Sequence, residues 1–325
     1  APATLPAMPV IEGVRFATAE AGIRYQGRTD LLLAVFDEGT VAAGVTTRSK
    51  TCSAAVLWCR EALKAGRARA LVVNSGNANT FTGKKGSDAV RMTVEAAAKA
   101  VDATPHDIYV SSTGVIGEPM DAAKFTHLLD GMAKSAKPDG WDRAARAIMT
   151  TDTYPKLVTR TVPIGGTDVT VTGFCKGAGM IAPDMATMLG YIFTDAAITQ
   201  PLLQRLVSAL ADQTFNCITI DGDTSTSDTV LAFATGAAAK RGAPLISDMA
   251  DAACGTFVGA LRAVMHELAI MIAKRCPRLL LLKNFPSSTM RFCLSLRSMI
   301  EPSLTPTRIG ILRSLHALMT SITCA

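Results

Sequence analysis

Residues 173–193, G-F-C-K-G-A-G-M-I-A-P-D-M-A-T-M-L-G-Y-I-F, constrain this chain most. Lys176 lies between small residues, and Gly177, Gly179 and Pro183 punctuate the segment after it. An apolar run that reads as a strand resumes at Met188, directly after Ala186-Thr187. The stretch is fed by two alternating segments, 158–162 and 167–172. Their junction, Ile164-Gly165-Gly166, reads as a hairpin. A hydroxyl between a small residue and a buried strand suits a self-cleaving peptide bond, with the threonine becoming a chain terminus and nucleophile. Taken alone, the Ala-Thr dipeptide favours an ordinary strand residue.

The rest of the chain alternates strands and helices. Strands are expected at 31–36 and 41–45 around Glu38-Gly39, at 68–73, 108–112, 217–220 and 230–234. Helices are expected at 53–66, from Ser87 to 101, at 120–133 and 141–149, after Thr199, and at 247–273. Strand 68–73 runs into Asn74-Ser75-Gly76-Asn77-Ala78-Asn79, which could hold tight turns or offer amides to a ligand. Strand 108–112 exits through Ser111-Ser112-Thr113-Gly114, placing hydroxyls and N–H groups where an oxyanion hole could form. The D-G-D at 221–223 lacks the spacing and terminal Glu of a calcium loop, so a structural or substrate loop is expected there.

Composition narrows the class. With 325 residues, 49% apolar and 18% charged, the chain can bury a large core and reads as globular α/β. No uncharged apolar run reaches the roughly 18 residues of a bilayer span. Residues 1–11 lack a basic segment before an apolar core, so no signal peptide and no membrane partner are expected. The eight cysteines have no C-x-x-C spacing and the four histidines do not cluster. Reduced thiols in a cytoplasmic protein, without a metal site, are expected. The net charge of +6 belongs to the C-terminal tail. From Lys274 onward there are eight Lys or Arg and one acid, leaving 25 basic and 26 acidic residues before it. The main body therefore gives no argument for nucleic-acid binding.

A threonine hydroxyl needs a base. Breaking the Ala186-Thr187 bond would free an α-amine with a pKa of about 7.7–8.0 on the nucleophile itself, an established nucleophile–base pairing. The sequence K-G-A-G-M-I-A-P-D-M-A-T-M-L resembles the self-cleavage segment of the glutamate N-acetyltransferase / ornithine acetyltransferase family. N-S-G-N-A-N, S-S-T-G-V-I-G, T-T-D-T-Y-P-K and D-G-D-T-S-T-S-D resemble that family's other motifs in the same order, and the likeness covers about residues 8–273.

The resemblance implies a layered α/β/β/α-like fold that cuts itself between Ala186 and Thr187 into α and β chains, forming an α2β2 heterotetramer. Thr187 would carry an acetyl group from N2-acetyl-L-ornithine to L-glutamate in arginine biosynthesis. Thr113 and Gly114 match the oxyanion-hole pair, and Thr153 and Lys176 match substrate-contacting positions, a lysine there suiting an α-carboxylate. Ping-pong kinetics without a metal or nucleotide cofactor are implied; acetyl-CoA stays open as a second donor.

The chain divides into three regions: 1–186, 187–273 and an anomalous tail, 274–325. The family continues after the long helix with a D-G-E-G-A-T-K type of motif whose glutamate contacts substrate. Here the sequence reads A-K-R-C-P-R-L-L-L-L-K, and Glu267 lies upstream, within the helix. An out-of-frame reading from near Lys274 accounts for this break. The alternatives are an uncut, inactive relative and an aminopeptidase or amidase of the same fold.

Overall fold

The expected strands largely form, and they assemble into two sheets. In a computed structural model, residues 6–180, 188–220 and 222–274 are described. All of them belong to one compact unit spanning Ala1–Leu281. In order, the elements are β1 (Val14–Ala19), β2 (Leu31–Phe36), β3 (Val41–Thr46), α1 (Ala54–Ala65), β4 (Ala70–Asn77), α2 (Gly83–Ala100) and β5 (Ile108–Val115). Next come α3 (Ala123–Thr126), α4 (Leu129–Ser135), α5 (Trp141–Ala147), β6 (Lys156–Ile164), β7 (Thr167–Lys176), β8 (Leu189–Thr194), α6 (Gln200–Gln213), β9 (Thr229–Ala234) and α7 (Ala252–Ala273).

One sheet has the order β1-β2-β4-β5 and the other β3-β9-β8-β7-β6. The β4/β5 and β8/β9 pairs are parallel and the rest antiparallel. Strand alternation sorts the side chains. Leu32, Ala34 and Phe36 of β2, with Leu71, Val73 and Tyr109, meet Phe174, Tyr191, Phe193, Leu231 and Phe233 of the other sheet in one buried cluster. Leu31, Leu33, Val35, Val72 and Val110 face the opposite way, against Val90 and Val94 of α2 and Phe125 and Leu129 beyond it. Helices α6 and α7 pack on the second sheet, and α5 adds Trp141 to the core between the sheets. This is the expected α/β/β/α layering.

Several local expectations give way to tertiary pairing. Strand β1 was hidden in the Pro- and Gly-rich first 28 residues, yet it pairs antiparallel with β2. Strands β2 and β3, close in sequence around Glu38-Gly39, lie in different sheets. Helix α2 starts at Gly83 rather than Ser87. The expected helix at 120–133 is split into α3 and α4. Residues 217–220 form no strand; Cys217 instead closes a 3-10 turn, Phe215–Cys217, after α6. Helix α7 is long and apolar enough to cross a membrane by length and composition, though Arg262 and Glu267 interrupt its apolar run. Its buried face, including Val264 and Leu268, packs on the second sheet, and Glu267 pairs with Arg160 of β6.

Phe193 lies at the centre of the core, with ring contacts to Phe16, Phe36, Trp141, Phe174 and Phe233 at centroid separations of 5.4–6.1 Å. Phe193→Ala is expected to cost about 3–5 kcal/mol, read as a lower urea midpoint with an unchanged slope.

Candidate active site

The alternation that fills the core with aromatics carries polar residues into the same gap at one end of the sheets. Along β5, Thr113 shares the inward face of Tyr109; along β7, Lys176 shares that of Phe174. Both are buried, and Lys176 Nζ donates to Thr113 Oγ1 at 3.0 Å. Two groups 63 positions apart in sequence thus meet between the sheets.

Gly114 follows Thr113 at the surface with φ +134. A Cβ there would lie 2.2 Å from the Gly76 carbonyl carbon and 2.6 Å from the Asn77 nitrogen. Only glycine allows β5 to approach β4 so closely at the irregular pairing of Gly76 and Asn77.

The asparagine loop before α2 is a structural device. Asn74 accepts from Ser112 Oγ at 2.6 Å and donates to the Asn77 carbonyl at 2.8 Å. Asn77 accepts from the Asn79 N–H and donates to the Glu118 carbonyl; Asn79 donates to the Gly86 carbonyl. All three amides are committed to holding the backbone.

A second polar layer backs Lys176. The Asp152 side chain is fully buried and its Oδ1 accepts from Lys156 Nζ and from the Gly177 N–H, the latter at 2.9 Å. Burial pushes its carboxyl up, but Lys156 and Lys176 outweigh that and hold it below the usual range. Burial pushes the Lys176 amine below its ordinary value, with Asp152 and Asp228 working in the other direction. Asp228 precedes β9, is fully buried and accepts from the Met188 N–H at 2.8 Å. Burial drives its carboxyl well above the ordinary value, against the pull of the Met188 N–H and Lys176.

The structure thus brings Thr113, Gly114 and Lys176 to one end of the sheet pair. Thr153 is exposed on the connector beside Asp152. Ala186 and Thr187 lie outside the described residues. Asp152, Lys156 and Asp228 were not singled out from sequence. The first two stand at i, i+4 in T-T-D-T-Y-P-K and the third ends D-G-D-T-S-T-S-D, but neither pattern reveals burial. Among the described residues, no three His, Cys, Asp or Glu side chains are grouped to hold a metal. A cavity of 440 Å³ is lined by Arg24, Asn77, Glu118, Asp121 and Lys124 among others, and Asn77 is also the register partner of Thr113.

The model of the ArgJ family matches residues 15–276. The chain belongs to the ArgJ family. The arginine biosynthesis bifunctional protein ArgJ of Mesorhizobium japonicum is 61% identical over 274 residues, covering 84% of this chain. That of Bradyrhizobium diazoefficiens is 59% identical over the same length. The chain spans 66% of the length of each of these ArgJ relatives. Two solved structures are similar. Ornithine acetyltransferase from Mycobacterium tuberculosis, complexed with ornithine, is 36% identical with TM-score 0.51, over 55% of this chain and 96% of that one. ArgJ from Bacillus halodurans is 31% identical with TM-score 0.50, over 54% and 92%.

Two outcomes test this ArgJ site geometry. Asp152→Ala leaves two buried ammonium groups without their shared carboxylate and is expected to cost about 3–5 kcal/mol at pH 7. Because the folded-state pKa is depressed, this stabilisation is present above the unfolded value of about 3.9 and is lost as pH falls through the lower folded value. Urea unfolding at pH 7 and at pH 3 should therefore give a smaller difference between wild type and variant in acid. Gly114→Ala is expected to destabilise by about 1–3 kcal/mol and to raise hydrogen exchange selectively along β4 and β5.

Proposed function

We propose that this chain is an N-acyltransferase of arginine biosynthesis that moves the acetyl group of N2-acetyl-L-ornithine to L-glutamate through an acetyl-threonine on Thr187. The observation that carries the reading is the buried Lys176–Thr113 hydrogen bond beside the exposed Gly114. Lys176 occupies an acceptor site on Thr113 Oγ1, so the threonine's own hydroxyl hydrogen is free to donate to a developing oxyanion. The Gly114 N–H is the second donor. Preorganised donors of this kind act where charge develops in the transition state.

The same apparatus serves two reactions. In the first, Thr187 Oγ attacks the Ala186 carbonyl carbon and the C–N bond breaks, leaving an ester on Thr187 and a proton on the new α-amine. Water then releases Ala186 as a carboxylate. In the second, the free amine takes the Thr187 hydroxyl proton as that oxygen attacks the acetyl carbonyl of acetyl-ornithine. Ornithine leaves with a proton on its nitrogen; the amine of glutamate then attacks the acetyl-threonine ester, the acetyl C–O bond breaks, and the glutamate nitrogen gives up a proton as the Thr187 hydroxyl is restored. In the second reaction a base near pKa 8 is suited both to taking the hydroxyl proton and to passing it to the departing ornithine. The cationic Lys176 and the hydroxyl of Thr153 are assigned to the substrate, the lysine toward an α-carboxylate. Residues 1–186 form the α chain, residues from 187 onward the β chain, and two of each the assembly. Acetyl-CoA is a candidate second donor.

The tail from Lys274 belongs to a different reading frame: the family match stops at residue 276, and glycine is reduced to Gly310. Translation of the coding DNA in the other two frames should reveal a D-G-E-G-like segment, and its absence from both would sink this assignment.

On a denaturing gel the wild-type chain is expected as two fragments, the second beginning Thr187-Met188-Leu189 by N-terminal sequencing. Thr187→Ala should remain one band, and processing that persists in this variant refutes the nucleophile.

A further inference from the structure

The loop that ends at Asp228 is fastened by hydroxyls and by backbone bonds, among them one from the Ser53 N–H to the Thr226 carbonyl at 2.8 Å. Thr226 and Ser227 share hydrogen bonds with Thr80 at 3.1 and 3.4 Å. Ser225 Oγ accepts from the Ser227 N–H, and the Ser225 carbonyl accepts from Thr47 Oγ1. The Asp228 side chain does something else. It reaches across to the first described residue of the strand β8 segment and accepts from the Met188 N–H at 2.8 Å. The Met188 carbonyl in turn accepts from the Thr229 N–H at 3.1 Å, so both polar backbone groups of Met188 are held by adjacent residues, one just before β9 and one that begins it. The Asp228 carbonyl accepts from the Thr47 N–H, which ties this clamp to the other edge of the sheet.

A carboxyl is a costly way to hold one amide. Asp228 is fully buried, and its second oxygen, Oδ2, has no hydrogen-bond partner among the described residues. The amide it holds is the one that joins Met188 to Thr187. A peptide unit is planar, so holding an N–H restrains how the bond to the preceding residue can turn.

We propose that Asp228 is a positioning residue for the nucleophile: by accepting from the Met188 N–H it anchors the residue that directly follows Thr187 in the chain. The inference rests on Thr187 being the nucleophile. The interaction requires an acceptor at this position rather than a charge, and this separates it from a general structural role.

The test compares self-cleavage of the full chain in wild type, Asp228→Ala and Asp228→Asn, followed on denaturing gels, with cooperative thermal unfolding as the check on folding. Displacement of a reacting group by about 1 Å costs on the order of 100-fold, so Asp228→Ala is expected to cut about 100-fold more slowly while still unfolding cooperatively. Asp228→Asn keeps a carbonyl acceptor and should restore cutting to within a few-fold of wild type. If Asp228→Ala does not unfold cooperatively, Asp228→Leu, of similar shape and without an acceptor, takes its place. Collapse of both variants assigns Asp228 a purely structural role and overturns the proposal. Equal cutting in wild type and in a folded acceptor-free variant overturns it while leaving Thr187 as the nucleophile. Failure of both the folded acceptor-free variant and Asp228→Asn to cut overturns positioning through the acceptor. An uncut wild-type chain removes the Thr187 reading, and this inference with it.

Discussion

The site depends on a buried charge balance. Two lysines, Lys156 and Lys176, have their ammonium groups inside the protein, and Asp152 answers both: it bonds Lys156 directly and, through the Gly177 N–H, holds the backbone next to Lys176. Asp228 supplies a second carboxyl that acts on Lys176. An isolated buried charge would lose its proton or distort its surroundings. With the carboxylate in place, Lys176 keeps a fixed direction, toward Thr113.

The apolar layers were the most legible part of the sequence. In 31–36 every residue is apolar, as suits a strand buried on both faces, and both faces of β2 are buried. The Gly165-Gly166 turn between β6 and β7 was also plain, and both glycines have positive φ. What periodicity could not show was partner choice. Glu38-Gly39 looks like any other turn, yet it carries the chain from one sheet to the other. The run at 217–220 has strand-like residues but joins neither sheet. Pairing is decided by the whole assembly, so local pattern gives strands without their order.

The site was legible in a different way. Thr113, Gly114 and Lys176 came from motif resemblance, and alternation accounts for why Thr113 and Lys176 meet: each lies two positions beyond the last aromatic or hydroxyl residue on an inward face. Gly114 follows from backbone approach. Asp152 and Asp228 could not have been ranked above the other acids of the chain, because their importance comes from burial and partners that appear only once the two sheets are closed. The asparagine loop went the other way. Its amides looked suited to a ligand and are instead consumed by carbonyls of their own neighbourhood.

The order β3-β9-β8-β7-β6 has a consequence for a chain divided before Met188. Strands β8 and β9 would belong to the second fragment, and they lie in the middle of the sheet, with β3 of the first fragment on one side and β7 on the other. The backbone ladder from Val171–Thr194 to Lys176–Leu189 would become a contact between separate polypeptides without losing a bond. Such a product is an interdigitated pair that cannot come apart by loosening a surface. Once unfolded, it would have to find its other half by diffusion, so its recovery would depend on concentration where that of the uncut chain does not. Cutting would thus make folding history part of the native state: the sheet is assembled once, as a single chain, and afterwards held by what that first folding put in place.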